Sequence, residues 1–525
     1  MIQQLSAQDA QFLYAQTGST LTHVMGINIY DPSTAPNGLV RFREIIEHVR
    51  SRIDTSPVFK RKLYRLPFDF DYPYWVEDTQ FELEAHITHA RLPEPGDWRQ
   101  FCIQTARHFS RPMDMSRPLW DMYILEGLDR IPGIAPGSFA SLTRIHHAAI
   151  DGASAAHMFV ALSDADPLGN PVIEVEPGKY ELGQQPNPAE IMTRAASANI
   201  TSPVRFAETL MKLTPALLGA ARKNLAQGAS GVPQTRFNAP ITVHKVFDAT
   251  EFAIADLSKM RGLVEGATIN DVILAICSGA LRRYLIDHKE LPKDTLVAVA
   301  PINRRTSGRE AENPGNNISA MSVELATHLA DPAERLAAIR AYTRDAKEAK
   351  TGLSARVMTD LTKHIPGATM AGVARLLTSP RFAPKAANVF ISNVPGPQFP
   401  LYMAGAKVTQ QFGMAPLSHN MGLFIATPSY NGRVSFCITS ERKIMPDIAF
   451  FRQCIEAAFR ELAAAQPRPA TARPVGKKKS PIATEVKRMV RPRSIVAVKR
   501  GAGKTGGASG TGSKPRKADK PANKP

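Results

Sequence analysis

His146-His147-Ala148-Ala149-Ile150-Asp151-Gly152 is the stretch of this 525-residue chain richest in usable chemistry. A neutral imidazole with a pKa near ~6.5 can take a proton from a hydroxyl or thiol at neutral pH. Adjacent residues on an extended backbone point to opposite sides, so only one of the pair can face a given cleft. The pattern reads as one base and one support. Asp151 would turn back to hold the loop backbone or an arginine, and Gly152 would permit a close backbone approach. The rival readings are two satisfied histidines at a strand end, or metal ligation. No further His, Cys or Glu cluster stands at ligand spacing, so no metal site is expected. No GxSxG elbow is present, since Gly137-Ser138 and Gly152-Ala153-Ser154 do not fit it. Without a protein nucleophile, the base is expected to activate a bound hydroxyl for direct attack on an activated acyl donor.

The histidines need an element to present them. Residues 139–145 alternate as a strand that ends at the pair, and 153–163 read as a helix that follows. Upstream, 24–30 read as a strand, and 39–49 and 97–109 as helices. Residues 166–187 lose their apolar period and read as a crossover. A helix over 204–227 and a loop over 228–240 follow. The second half begins near 241, with strands over 242–247, 295–300, 387–391 and 434–439. Its helices are expected over 270–285, 331–347 and 446–464. No repeat of 20–50 residues, nucleotide-binding GxGxxG or Walker loop is found; the glycines of 501–507 lack the required spacing.

Composition bounds the setting. With 43% hydrophobic and 21% charged residues, the chain is globular in character. No apolar run reaches the ~18–20 residues of a membrane span, and the opening residues lack the pattern of a signal peptide. Four scattered cysteines without CxxC spacing fit a reducing, intracellular setting. The net charge of +18 is concentrated at the end. Residues 466–525 hold 17 Lys and Arg against two acids, while the body carries 48 against 45. A tail of this composition reads as disordered. Within it, Ile482, Val486, Met489 and Val490 recur at helical spacing beside basic residues, which suits a turn lying on an anionic membrane, although a solvated tail is the simpler reading. The near-neutral body argues against nucleic acid as a partner.

HHxxxDG is the signature of the CoA-dependent acyltransferase superfamily. Further blocks resemble, more narrowly, the bacterial wax ester synthase/acyl-CoA:diacylglycerol acyltransferase family over about residues 3–462. They are Leu5-Ser6 with Asp9, Phe12 and Leu13; Arg117-Pro118-Leu119-Trp120; Thr268-Ile269-Asn270-Asp271; Pro301-Ile302-Asn303-Arg304-Arg305; Gly315-Asn316-Asn317; and Ser392-Asn393-Val394-Pro395-Gly396-Pro397. The chain departs from the family's pattern at Val243-His244-Lys245, where a basic pair is common, and at Glu441, where an Asp is common.

The resemblance implies an α/β (α+β) fold. It would comprise two chloramphenicol-acetyltransferase-like mixed-sheet domains, 1–170 and 241–465, joined by a crossover linker over 171–240, before the tail 466–525. It implies His147 as general base, supported by His146, Asp151 and Gly152. Asn270 and Ser392 become candidate oxyanion donors, although Asn270-Asp271 equally reads as a helix N-cap. Pro118, Leu119, Trp120, Asn393, Arg304 and Arg305 become candidates for substrate contact, and Pro118-Leu119-Trp120 reads at least as well as core packing. The implied co-substrate is acyl-CoA, with no bound cofactor, and the acceptor is diacylglycerol or a long-chain alcohol. Because such acceptors are insoluble, a cytoplasmic protein peripherally attached to a membrane or lipid droplet is expected; the basic tail, which is not part of the family core, would by its charge contact an anionic surface. Two alternatives stay open: an enzyme that uses carrier-bound acyl groups for a specialised lipid, and a silent lipid-binding homologue.

Overall fold

The computed structural model describes residues 3–150, 154–174, 187, 189–193, 195–196, 231–302, 319–348, 365 and 367–466. Asp151, Gly152, Arg304, Arg305, the expected helix over 204–227 and the basic tail lie outside the described residues.

The first half runs β1 (Gln3–Gln4), α1 (Ala7–Ala15), β2 (His23–Asp31), α2 (Phe42–Arg52), β3 (Arg61–Tyr64), β4 (Tyr74–Glu77), β5 (Ile87–Arg91), α3 (Trp98–Phe109), β6 (Trp120–Glu126), β7 (Phe139–His146) and α4 (Ser154–Ala161). The second runs β8 (Lys245–Ala253), α5 (Ile254–Met260), α6 (Ile269–Asp287), β9 (Val297–Ile302), β10 (Ser319–Glu324), α7 (Pro332–Glu348), α8 (Gly367–Leu377), β11 (Val389–Pro395), β12 (Tyr402–Met403), β13 (Ala406–Met414), β14 (Leu423–Tyr430), β15 (Arg433–Glu441) and α9 (Ile448–Ala464).

Two six-stranded mixed sheets result, ordered β12-β13-β2-β7-β6-β5 and β10-β9-β11-β14-β15-β8; a small third sheet is β1-β4-β3. Their central strands are buried along most of their length because both faces are covered. β7, for instance, has seven of its eight residues buried. β13 belongs to the second half in sequence but pairs antiparallel with β2 of the first, Gly413 opposite Gly26. It also forms the seam between the sheets. The Gly413 N–H donates to Cys437 Sγ (3.3 Å), and Ser435 Oγ donates to the Gln411 carbonyl (2.7 Å). Met25, Ile27, Ile29 and Phe412 share one apolar core with Phe247 and Cys437 across that seam.

Most of the elements expected from the sequence fall within a few residues of their positions, while β1, α1, β3 to β6, α5, β10, α8 and β12 to β14 are additional to them. The strand expected over 242–247 is displaced to Lys245–Ala253. Thr242 is drawn out of the ladder because its hydroxyl donates to the buried Glu441 and its carbonyl accepts from Lys245 Nζ. At α6 the N-cap is Thr268, not Asn270. Thr268 Oγ1 accepts from the Asp271 N–H, and Asp271 Oδ2 accepts from the Thr268 N–H, a reciprocal capping box.

Candidate active site

β7 delivers the two histidines, and its end is held from three sides. Within the sheet, His146 lies opposite His23 on β2, and its N–H donates to the Leu119 carbonyl (3.0 Å). Two residues earlier, Arg144 pairs bidentately with Asp121 on β6 (2.9 and 2.6 Å) and donates to the carbonyls of His108 and Arg111 beyond it. Burial raises the pKa of Asp121, but the bonds from His108 and Arg144 outweigh it and hold the carboxyl at about 2. From the small sheet, Arg61 lies over the Trp75 ring and donates to the Ala149 carbonyl (3.2 Å).

His146 is fully buried. Its Nδ1 accepts the Ala148 N–H (3.1 Å), so in the neutral ring the proton sits on Nε2, which faces Gln16 Oε1 (2.9 Å) and Thr22 Oγ1 (3.0 Å). Burial, followed by the neighbouring His23 and His147, pushes its pKa down to about 3. The ring is neutral at physiological pH and its one lone pair is engaged.

His147 differs. It is half-buried, and its N–H donates to the Thr22 carbonyl (2.9 Å). Phe12 on α1 stacks on its imidazole, centroids 3.9 Å apart and planes 19° from parallel. The segment from Phe12 to Thr22 thus contacts both histidines. That segment is itself tied to the second half. The buried Lys245 Nζ donates to the Ser19 carbonyl (2.9 Å), and Ser19 Oγ lies 3.2 Å from Nε2 of the buried His419. Burial pushes the Lys245 ammonium down to about 8, with Glu441 opposing.

The other sequence candidates are dispersed. Pro118, Leu119 and Trp120 are buried, Trp120 donating its indole N–H to the Phe59 carbonyl (3.0 Å) and stacking on His86. Leu119 and Trp120 belong to the core that supports the loop. Asn270 is half-buried on the first turn of α6. Ser392 and Asn393 lie on β11, paired with Ala426 and Thr427. Among the described contacts, none of these three reaches the histidines. Phe12, Gln16, Thr22, Arg61 and Lys245 were not singled out as site residues. Two of them carry a signal, Phe12 as part of the opening block and Lys245 as part of the 243–245 departure from the family's pattern. Among the described residues, no three His, Cys, Asp or Glu side chains gather as metal ligands.

A model of wax ester synthase/diacylglycerol acyltransferase catalytic domains matches residues 5–273. The chain belongs to the wax ester synthase/diacylglycerol acyltransferase family. The family's C-terminal domain model matches residues 314–463. A putative diacylglycerol O-acyltransferase of Mycobacterium tuberculosis H37Rv is 30% identical over 473 residues, 88% of this chain and 90% of its own. Another, from Mycobacterium bovis, is 31% identical over 467 residues, covering 85% and 88%. The wax ester synthase/diacylglycerol acyltransferase of Marinobacter aquaeolei VT8 superposes with a TM-score of 0.62 at 26% identity, over 87% of this chain and 98% of that one. The first condensation domain of a calcium-dependent antibiotic synthetase (TM-score 0.54, 13% identity, 89% of this chain and 98% of its own) shares the fold. As a member of the wax ester synthase/diacylglycerol acyltransferase family, the chain is an acyltransferase; the first of its paired histidines ends a central strand of the first sheet and the second opens the turn that follows.

Proposed function

We propose that the chain transfers the acyl group of an acyl-CoA to the hydroxyl of diacylglycerol or of a long-chain alcohol, with His147 as general base. The observation that carries this is the contrast between the histidines: His146 is neutral and its lone pair engaged, which leaves His147 to take a proton. The acceptor oxygen attacks the thioester carbonyl as His147 removes its proton. Collapse of the tetrahedral intermediate breaks the C–S bond, and the imidazolium returns the proton to the CoA thiolate. Asp151 and Gly152 would support the loop, Asn270 and Ser392 would donate to the oxyanion, and Arg304 and Arg305 would meet the CoA phosphates. The names of the curated relatives support diacylglycerol as acceptor.

The test is thiol release from palmitoyl-CoA by purified protein with diacylglycerol, hexadecanol or no acceptor. Release is expected only with an acceptor, and His147→Ala is expected to abolish it. Acceptor-independent release, or a fully active His147→Ala, would overturn the proposal.

We also place the reaction at a lipid surface. Among the described residues no helix is long and apolar enough to cross a membrane. α8 buries Met370, Ala371 and Ala374 on the side packed toward α1, yet leaves Val373, Leu376 and Leu377 about half exposed. A surface helix with a second apolar face suits contact with a partner or a lipid. The 17 basic residues of 466–525 would add an electrostatic component of ~1 kcal/mol for each one held near an anionic surface. Deleting 466–525 is expected to weaken binding to anionic liposomes and to spare turnover of detergent-dispersed acceptor. Unchanged liposome binding would remove the tail from the proposal.

A further inference from the structure

We infer that Phe12 is a positioning residue for the acyl transfer, acting through the face of the His147 ring; this rests on His147 being the base. Three observations converge on it. The two rings overlap closely, at 3.9 Å and 19°. Phe12 is only half-buried, so it is no ordinary member of the core that it borders. Its backbone is fixed relative to the histidine loop. Thr22 Oγ1 lies within hydrogen-bonding distance of both the Phe12 carbonyl (2.9 Å) and Gln16 Oε1 (3.1 Å), while the Thr22 carbonyl holds the His147 N–H.

α1 is anchored at its start by Ser6, whose Oγ accepts the Asp9 N–H (3.1 Å), and by the buried Ala10, Leu13 and Tyr14. Phe12 therefore reaches His147 from a helix held at both ends. A phenyl ring laid flat on an imidazole restricts rotation of that ring, which keeps the basic nitrogen aimed along one direction. The ring face also carries the negative part of the aromatic quadrupole. When the base takes the acceptor's proton, the imidazolium forms against that face and is stabilised. An aliphatic side chain of similar size would fill the space but would supply neither the flat surface nor the quadrupole.

Phe12→Leu and Phe12→Tyr separate these contributions from simple space-filling. With palmitoyl-CoA and the better acceptor, Phe12→Leu is expected to lower kcat about tenfold with KM for palmitoyl-CoA unchanged. Phe12→Tyr should stay within about twofold of the parent. In a His147→Ala background, Phe12→Leu should cause no further loss of residual turnover, because its effect passes through the missing ring. If Phe12→Leu keeps full kcat while His147→Ala is inactive, the positioning role falls and the base assignment stands. If His147→Ala is itself fully active, the base assignment falls and takes this inference with it. A Phe12→Leu loss that persists undiminished in the His147→Ala background would assign Phe12 to general packing and overturn the inference.

Discussion

Nδ1 of His146 accepts the backbone N–H of Ala148 at 3.1 Å, and this bond engages the lone pair of the first of two adjacent histidines. A ring so held cannot also receive a substrate proton without breaking the turn that presents its neighbour. His146→Asn places an amide oxygen near the former Nδ1 and can keep the bond to Ala148, but it loses the bonds to Gln16 and Thr22. It is expected to retain turnover within about tenfold of the parent, while His147→Ala loses on the order of 10²–10⁴-fold or more. Steady-state thiol release measures both. Equal losses in the two variants would contradict the division of labour.

The buried histidines also set an acid limit on stability. His146 and His23 are held near pKa values of about 3 and 4, with burial the leading cause in each. In the unfolded chain both return to about 6.5. Below pH 6.5 the unfolded state therefore binds protons that the native state refuses, and stability falls as pH falls, until about pH 3. For His146 alone the loss at pH 4 is on the order of 3 kcal/mol. Urea midpoints at pH 7 and pH 4 should differ accordingly, and His146→Asn should reduce the difference. A midpoint independent of pH over this range would show that the histidines are not held neutral.

Legibility in the sequence followed the range of the interactions. Strand 139–145 and helix 97–109 were readable because their apolar period and, for α3, the Asp97 cap are local; Asp97 accepts from the Gln100 N–H (2.8 Å). The histidine pair was readable for the same reason. The partners of His146 were not, since Gln16 and Thr22 lie more than 120 residues away and are polar residues of ordinary type. Nor could the pattern of β13 show that it would join the sheet of the other half, because an alternating strand does not encode its partner. Lys245 illustrates the limit well. A lysine at the start of a strand reads as solvated, and only the tertiary structure closes Ser19 and Thr242 over it.

The Pro395-Gly396-Pro397 turn makes a steric prediction. A Cβ on Gly396 would stand 2.3 Å from the Ser429 carbonyl oxygen, a backbone atom that cannot swing away. The Gly396 N–H also donates to Ser429 Oγ (3.3 Å). Gly396→Ala must push β11 from β14 and is expected to cost about 2–3 kcal/mol. Gly372, inside α8, has nothing within 4 Å of its would-be Cβ, so Gly372→Ala should raise stability by about 0.5–1 kcal/mol through helix propensity. Urea unfolding of the two variants should move in opposite directions. A neutral Gly396→Ala would mean that the close approach of β11 to Ser429 is not required.

Asn270 and Asp271 are adjacent, and the structure gives them unlike tasks. Asp271 is fully buried, accepts from the N–H and Oγ1 of Thr268 through Oδ2, and accepts from Thr343 Oγ1 through Oδ1 (2.7 Å). It therefore caps α6 and fastens α7 to it. Its removal takes the acceptor from the cap N–H and leaves the buried Thr343 hydroxyl only the Arg340 carbonyl (3.1 Å), so Asp271→Ala is expected to cost about 2–4 kcal/mol. Asn270 is half-buried and takes no part in that box. Asn270→Ala is expected to change stability by no more than about 0.5 kcal/mol. If Asn270 donates to the oxyanion, the same variant loses about 10²–10³-fold in kcat. Thermal or urea unfolding, run beside thiol release, reads both quantities on each variant. A stable Asn270→Ala with full turnover would remove Asn270 from the reaction, and a stable Asp271→Ala would show that the α6 cap does not hold the two helices together.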